Sequence, residues 1–413
     1  MGTKTRIVQI GTVKIGGGLP VVLQSMAATK TTDVAKTAET CQRLADAGAE
    51  IVRVAVDTLH DAEALREIRK RTNANLSVDL QENYRLAEVV APFVGEVRYN
   101  PGHLHHIEPE TAWQTKVERI VQIARQHDCA LRIGVNCGSL DPALHESRER
   151  NNVERPDQPT EQSGHSATLR SRLSSQTNID IAINSALQHA EFIDALGFDQ
   201  FNVSIKSSDP KAVLFANRQF AAQRPDVPIH LGLTEAGLPP MGIEKSRAAL
   251  EPLLAEGIGD TLRVSLTVPN DRKAEEIEAG RLILQNVASG IVLTDWQPEK
   301  LNIISCPTCA RVESDQFVAL AEKVREATQS MRDIPLTIAV MGCRVNGPGE
   351  TDHADIGLWC GKTLVNLKRG STLIGSFNYD EVIEKMLNEV DRLLAERRAA
   401  ESPDAGPAGL TDT

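Results

Sequence analysis

The sequence predicts an α/β protein with an N-terminal (β/α)8 barrel of the TIM type and a smaller C-terminal α+β domain. Between Pro20 and about Thr267, eight short apolar runs alternate with amphipathic stretches. This alternation is typical of parallel strands joined by helices, and eight such units close a barrel of about 250 residues. The chain has 413 residues, which leaves room for a second domain after the barrel.

The predicted barrel strands share an apolar run bounded by turn residues. They are Pro20–Leu23, Ile51–Val56, Leu76–Leu80, Val97–Asn100, Leu131–Val135, Phe201–Ile205, Ile229–Leu233 and Leu262–Leu266. The predicted helices share an apolar face at helical spacing. They are Val34–Ala47, Ala62–Arg71, Thr115–Gln126, Asp180–Leu196, Pro210–Ala222, Gly242–Glu256 and Asn270–Val287. Ahead of them, residues 7–14 and the glycines at 16–18 predict a hairpin that plugs the barrel floor.

Three parts of the chain follow from these patterns. The barrel domain is expected at 1–290, the second domain at 301–397 and a disordered tail, rich in Pro, Gly, Asp and Thr, at 398–413. The polar segment 141–177 is predicted to be a long loop and is given no function. In the second domain the expected elements are strands at 302–304, 336–341, 355–359 and 363–368 and helices at 316–327 and 379–396.

Composition excludes several classes of protein. Hydrophobic residues make up 41% of the chain, yet no window of eighteen apolar residues occurs and the N-terminus lacks a signal peptide. These features predict a cytoplasmic protein without a membrane segment. The net charge of -11 disfavours binding to nucleic acid. Seven scattered cysteines argue against a disulfide framework and for reduced thiols.

Three of the cysteines predict a metal centre. Cys306 and Cys309 have the C-x-x-C spacing, which also occurs in structural zinc sites and in thioredoxin-like redox sites. Cys343 follows a predicted strand, and the glycines of the loop at 347–349 let backbone approach a bulky inorganic group. Three thiolates are one short of the usual four for a [4Fe-4S] cluster. Glu350 is the candidate fourth ligand, because a carboxylate is harder and more labile than a thiolate.

Polar side chains recur at the C-terminal ends of the predicted strands, where barrels of this type bind ligands. Five of them are cations: Arg53, Arg98, Arg132, Lys206 and Arg263. Structural salt bridges with Asp79 and Glu235 are the alternative explanation, but two acids leave a surplus of positive charge. Because guanidinium groups match phosphate oxygens in bidentate geometry, the surplus predicts a diphosphate ligand.

Two motifs in the second domain, Ser-Cys-Pro-Thr-Cys at 305–309 and Met-Gly-Cys-Arg-Val-Asn-Gly-Pro-Gly-Glu at 341–350, closely resemble a known family. It is the 4-hydroxy-3-methylbut-2-enyl diphosphate synthase family, the iron-sulfur enzymes of the methylerythritol phosphate route to isoprenoids. The resemblance continues through the barrel at 24–26, 98–102, 132–136, 204–206, 230–237 and 259–265. It implies a two-electron reductive ring opening and dehydration of 2-C-methyl-D-erythritol 2,4-cyclodiphosphate.

The resemblance also implies roles for individual residues. The substrate would be held by Arg53, Arg98, Arg132, Asn136, Lys206, Arg263, Ser265 and Asn346. Glu235 would lie near the carbon skeleton and act in catalysis with Glu350. A [4Fe-4S] cluster would be bound by Cys306, Cys309, Cys343 and Glu350.

Partners follow from the same resemblance. It implies a homodimer in which the cluster domain of one subunit caps the barrel of the other. No glycine motif for a nucleotide is present in the sequence, so electrons would come from flavodoxin or ferredoxin.

The chain departs from the family pattern at several positions. Ala310 replaces a usual Gly, Gln81 a usual His, and His103 a usual Asn after the Pro-Gly turn, which puts a role for position 81 in doubt. Cys360 stands where the family has a small residue and is expected to be buried rather than a spare ligand. Cys41 and Cys137 are expected to be structural.

Two other functions remain open at this stage. The first is a pterin-binding synthase or methyltransferase on the same barrel, with the three cysteines around a structural zinc ion. The second is a noncatalytic iron-sulfur sensor, which would not need the cations at the barrel mouth. A radical enzyme is disfavoured because the C-x-x-x-C-x-x-C spacing is missing.

Overall fold

The computed structural model describes residues 4–80, 82–140, 167–295, 300–314, 316–343 and 345–401, with backbone alone at 167–176 and 400–401. It confirms the (β/α)8 barrel. After a hairpin of β1 (Val8–Ile10) and β2 (Val13–Ile15), the barrel strands are β3 (Val22–Met26), β4 (Ile51–Val56), β5 (Leu76–Leu80), β6 (Glu96–Tyr99), β7 (Ala130–Asn136), β8 (Phe201–Lys206), β9 (His230–Gly232) and β10 (Thr261–Arg263). They pair in parallel in the order β8-β7-β6-β5-β4-β3-β10-β9, and a bridge between Val203 and Ile229 joins the two ends.

The hairpin closes the floor of the barrel, as predicted. Its strands are antiparallel, and Val8, Ile10 and Ile15 are buried in one cluster with Val22 and Ile51. The last two residues begin β3 and β4, so the cluster lies at the N-terminal end of the barrel strands. The opposite end is left for ligands.

Helices surround the barrel. They are α1 (Val34–Asp46), α2 (Leu59–Arg69), α3 (Ala87–Val90), α4 (Trp113–Gln126), α5 (Ala167–Ala195), α6 (Pro210–Gln223), α7 (Met241–Ala255) and α8 (Ala274–Ala288). α2 begins before the predicted Ala62 because Thr58 and Asp61 form a capping box. Between β5 and β6, where no helix was predicted, α3 is flanked by short 3-10 turns, and Pro92 lies in the second of them.

α5 shows where one sequence prediction was wrong. It begins at Ala167 rather than near Asp180, so the last part of the predicted loop 141–177 is helical. Residues 141–166 and Gln81 lie outside the described residues.

The second domain is an α+β unit built on a five-stranded mixed sheet. β11 (Asn302–Ser305), β12 (Thr337–Met341) and β13 (Ile356–Cys360) are parallel, and β14 (Leu364–Arg369) and β15 (Thr372–Asn378) continue the sheet antiparallel. Helices α9 (Gln316–Ala327), α10 (Gly347–His353) and α11 (Val382–Glu401) complete it. The sequence analysis missed β15, whose residues are mostly exposed, and α10, whose first turn holds two glycines and a proline.

α11 extends beyond the predicted end of the domain. It runs to Glu401 and therefore includes the first residues of the predicted tail, while 402–413 lies outside the described residues. Across the described ranges, no helix combines the length and apolar character that a bilayer crossing requires.

The second domain covers the barrel mouth of its own chain. Ala236 and Ser305 form a parallel bridge between the two domains, and the hydroxyls of Thr267 and Ser305 lie 2.7 Å apart. Lys30 donates to the carbonyl oxygens of Ala310 and Val312, each at 2.7 Å. These contacts join the two domains of one chain, and the exchange of cap domains between subunits stays a prediction.

The hairpin plug should be required for barrel stability. Ile10 is fully buried, and truncating such a side chain costs about 2–5 kcal/mol. Ile10→Ala should lower the thermal unfolding midpoint by several degrees, whereas Lys14→Ala, at an exposed position of the same hairpin, should leave it within about 1 °C. Equal midpoints for the two variants in scanning calorimetry would refute the plug.

Candidate functional site

A cavity lies between the C-terminal ends of the barrel strands and the second domain. The space between its walls, together with the solvent at its opening, amounts to about 640 Å³. Of the predicted site residues, the wall includes Arg53, Arg98, Asn136, Lys206, Glu235, Arg263, Ser265, Cys306, Cys309, Cys343 and Asn346. The structure thus brings together all the predicted residues except Arg132 and Glu350.

Two cations on the wall lack an acidic partner. Within the described residues, neither Arg53 nor Lys206 forms an ion pair. Arg53 donates only to the sulfur of Met26, at 3.2 and 3.3 Å, and Lys206 Nζ lies 3.1 Å from His230 Nε2. Burial lowers the pKa of Arg53 and of Lys206 well below their usual values, and neighbouring arginines add to the effect. Such a pair of buried charges favours an anionic ligand.

The guanidinium of Arg263, on β10, makes fewer hydrogen bonds than its donors allow. Its Nη2 lies 3.6 Å from Glu276 Oε1, but its Nε and Nη2 have no hydrogen-bond partner among the described residues. Since buried donors are normally paired, these two nitrogens are available to a ligand. Ser265 follows the same strand and lies on the wall.

Other cations near the cavity are neutralised. Arg98 Nη1 donates to Asp79 Oδ1 at 2.6 Å, and its Nη2 donates to the carbonyl oxygen of Gly134 at 2.8 Å. Burial alone would raise the pKa of Asp79, but Arg98, Arg53 and Arg311 outweigh it and hold that pKa well below its usual range. Arg98 is therefore fixed on the wall as part of an ion pair.

Arg132 does not line the cavity. Its guanidinium is fully buried inside the barrel, where it is ion-paired with Glu96 and donates to Gln24 Oε1 at 2.6 Å. Asn202 and Ser77 also donate to Glu96, at 2.8 and 2.6 Å. The sequence analysis did not consider Glu96, and that acid explains why Arg132 turns away from the mouth.

The three cysteines lie on the side of the cavity formed by the second domain. Cys306 follows β11, Cys343 follows β12, and the N–H of Gly342 donates to Cys306 Sγ at 3.3 Å. Burial raises the pKa of the Cys306 thiol, and the charges of Cys343 and Cys309 raise it further. The three sulfurs are therefore close enough to interact electrostatically.

The spacing of the sulfurs favours a cluster over a single ion. Within the described residues, the one group of three His, Cys, Asp or Glu whose ligand atoms all lie within 4.8 Å of one another contains no cysteine. Thiolates on one tetrahedral zinc ion, each at about 2.3 Å, lie about 4 Å apart. A cluster with several irons spans a wider set of sulfurs, so these residues fit an iron-sulfur cluster.

Glu235 and Asn346 join the two domains at the cavity. Asn346 Nδ2 donates to Glu235 Oε1 at 2.8 Å, whereas Glu235 Oε2 is buried without a hydrogen-bond partner among the described residues. Glu235 has a φ of 49°, a strained conformation for a residue other than glycine. Burial raises the pKa of its carboxyl above the usual value.

Glu350 lies beside the cavity wall. It is in the first turn of α10 and accepts a hydrogen bond from the hydroxyl of Ser208 at 2.9 Å. Burial, and then the charge of Glu235, raise the pKa of Glu350 to about 8. Its role as a fourth cluster ligand stays a prediction.

Arg311 is a wall residue that the sequence analysis missed. It is ion-paired with Asp57 at 2.6 Å and with Asp79 at 3.3 Å, and therefore holds the second domain to the ends of β4 and β5. The available signal was a cation two positions after Cys309, together with one acid just after a predicted barrel strand, Asp57, and one near the end of the next, Asp79.

The remaining cysteines are placed as expected for structural residues. Cys41 on α1 and Cys360 on β13 are fully buried in the two hydrophobic cores. Cys137, at the end of β7, is half-buried against the barrel core.

Comparisons with known proteins cover both domains. Residues 5–281 match the family model described as the GcpE TIM-barrel domain, and residues 302–392 match the GcpE protein C-terminal domain. A solved structure of dihydropteroate synthase from Yersinia pestis covers 68% of this chain and 98% of that chain, with 10% identity and a TM-score of 0.37. Similarity at that level supports no statement about function.

Curated relatives agree with the family models. A protein from Rhodopirellula baltica named 4-hydroxy-3-methylbut-2-en-1-yl diphosphate synthase (flavodoxin) is 51% identical over 396 residues, covering 95% of this chain and 97% of that protein. One of the same name from Persephonella marina is 38% identical and covers 94% of this chain and 98% of that protein. The resemblance seen in the cysteine motifs is thereby confirmed, and the chain belongs to the GcpE family.

Proposed function

We propose that the protein is an oxidoreductase that converts 2-C-methyl-D-erythritol 2,4-cyclodiphosphate to (E)-4-hydroxy-3-methylbut-2-enyl diphosphate by two-electron ring opening and loss of water. The reaction belongs to non-mevalonate isoprenoid biosynthesis, and curated relatives carry the corresponding name. The observation that carries the proposal is a pair of buried cations, Arg53 and Lys206, that form no ion pair within the described part of the chain and line the same cavity as three cysteines.

The charge of the substrate matches this pair. Each phosphate of a cyclic diphosphate has one ionised oxygen, so the group carries two negative charges. Arg53 and Lys206 supply two positive charges, and Arg263 offers two nitrogens, Nε and Nη2, that have no hydrogen-bond partner among the described residues. We assign the diphosphate to these three residues, with Asn136, Ser265 and the ion-paired Arg98 as further contacts on the wall.

Arg132 is assigned a less direct part in this binding. Its donors are taken by Glu96 and Gln24, but its charge still acts on Arg53 and Lys206 from inside the barrel. It therefore adds to the positive potential beneath the diphosphate.

The cofactor that we propose is a [4Fe-4S] cluster bound by Cys306, Cys309, Cys343 and Glu350. When bound, such a cluster supplies single electrons at low potential. Glu350 would have to leave the hydroxyl of Ser208 and lose its proton to act as a ligand. A carboxylate with a hydroxyl partner in reach suits a ligand that binds and is released.

Glu235 is proposed as the proton donor. Loss of water requires a proton on the departing hydroxyl oxygen, and burial raises the pKa of the Glu235 carboxyl beside the cavity. Asn346 donates to one of its oxygens and so leaves the other directed to a ligand. The second domain thus orients the acid as well as carrying the cysteines.

We take the electron donor to be flavodoxin, in line with the names of the relatives, with ferredoxin as the alternative from the sequence. The homodimer remains a prediction.

The cysteine assignment predicts a difference between two single substitutions. Protein purified without oxygen should contain about four iron and four sulfide per chain and should form product from the cyclodiphosphate with reduced flavodoxin. Cys306→Ser should lose most iron and all activity, whereas Cys360→Ala, in the core of the same domain, should keep both. One zinc per chain in colourless protein would instead favour the structural-zinc alternative.

The charge assignment predicts a binding defect. Lys206→Gln removes one of the two unpaired cations, and a charged hydrogen bond is worth about 1.5–3 kcal/mol, so KM for the cyclodiphosphate should rise about 10–100-fold with iron content unchanged. Lys211→Gln, at an exposed position on α6, is the matched control. An unchanged KM in Lys206→Gln would remove this residue from the diphosphate site.

The raised pKa of Glu350 predicts a pH effect on the protein without its cluster. A carboxyl with a pKa of about 8 when folded and 4.5 when unfolded stabilises the fold below about pH 4.5, and this contribution is lost as the pH rises through about 8. Glu350→Gln should therefore gain thermal stability relative to the unsubstituted protein as the pH rises from about 6 to 8.5. The exposed Glu384→Gln should show no such trend, and a parallel pH profile for Glu350→Gln would contradict the buried, protonated state.

A further inference from the structure

The turn that follows β6 concentrates histidines at the rim of the cavity. His103, His105 and His106 all lie on a 3-10 helix, Pro101–His106. Side chains three positions apart stack over each other in a 3-10 helix because it has three residues per turn. The rings of His103 and His106 do so, with centroids 4.9 Å apart and planes inclined by 14°. Two imidazoles therefore share one face of the turn.

Glu82 faces these two rings from the neighbouring loop after β5. Its Oε1 lies 3.8 Å from His106 Nδ1. One ligand atom from each of Glu82, His103 and His106 lies within 4.8 Å of the other two. Two imidazoles and a carboxylate are a ligand set that binds zinc in three-residue sites with an open position.

We propose that Glu82, His103 and His106 bind one divalent cation of the zinc type, separate from the cysteines. Ligands at about 2.0–2.2 Å from such an ion require the three atoms to approach by about 1 Å. His103 is 6% exposed and fixes one ligand. The side chains of His106 and Glu82 are 35% and 31% exposed, so an ion can reach both from solvent.

Charges around the turn permit a cation. The guanidinium groups of Arg98 and Arg311 act on His103, but both are ion-paired with Asp79. Glu82 then adds a negative charge on the solvent side. The two guanidinium groups that act on His103 are thus both ion-paired.

A bound ion would join two loops of the cavity rim. Glu82 lies just after β5, whose Asp79 is on the wall, and the histidines lie just after β6, which carries Arg98. Holding these loops together would stabilise the Asp79–Arg98 pair in place. The site depends on neither the cluster nor the proposed reaction.

The test is zinc binding to the full chain. Protein without a histidine tag, with its cluster intact, is treated with a chelator and titrated with Zn²⁺ by calorimetry, and zinc K-edge X-ray absorption identifies the ligand atoms. We expect one zinc per chain with nitrogen and oxygen ligands, no sulfur, and a raised thermal midpoint on binding.

Three variants distinguish zinc binding at this site from nonspecific zinc binding to surface histidines. His106→Ala and Glu82→Gln should each weaken zinc binding at least about tenfold, whereas His60→Ala, at an exposed histidine on α2, should bind zinc as before. Both test residues are partly exposed, so their substitution should leave the fold intact, as circular dichroism would verify. Sulfur in the coordination shell, or unchanged binding in both variants, would overturn the proposal.

Discussion

Burial of positive charge at the barrel mouth is the constraint on which the site depends. Charged groups are costly inside a protein unless they are paired, and most of the cations here are paired within the barrel. Arg132 has Glu96, and Lys273 has Glu276 at 2.7 Å. Arg53 and Lys206 have no such partner among the described residues, so the fold is most favourable when an anion completes it. Affinity for a diphosphate follows from that electrostatic deficit.

The second domain adds to the excess of positive charge at the barrel mouth. Arg311 pairs with Asp79, an acid whose charge acts against the positive neighbours of Arg53. When the second domain lies on the barrel, Asp79 is therefore shared between Arg53 and Arg311. The same contact places three cysteines over the mouth. Anion binding and closure of the cavity should favour each other. Closure engages the carboxylate of Asp79 with Arg311, and a diphosphate supplies new negative charge to Arg53.

Much of the architecture was readable from the sequence because burial on both faces makes parallel strands continuous apolar runs. β4 and β5 were predicted with their observed bounds, and so was α9. β15 and α10 were missed because one is mostly exposed and the other begins in a Gly-Pro-Gly sequence that reads as a loop. Arg311 was missed because its acidic partners are distant in sequence. The group of Glu82, His103 and His106 was missed because its members belong to two different loops.

Arg132 shows where a motif match stops being sufficient. Arg98 and Arg132 are register partners on adjacent strands, and both matched the family pattern, yet one lines the cavity and the other points into the barrel. Side chains two apart on a strand share a face, so Glu96 and Arg98 both point into the barrel. Glu96 lies nearer the N-terminal end of the strand, and its ion pair with Arg132 holds that guanidinium away from the mouth. An acid directly before the predicted apolar run Val97–Asn100 was visible in the sequence. A cation at a strand end can contact a ligand only if the neighbouring strand has no acid nearer the barrel floor that pairs with it.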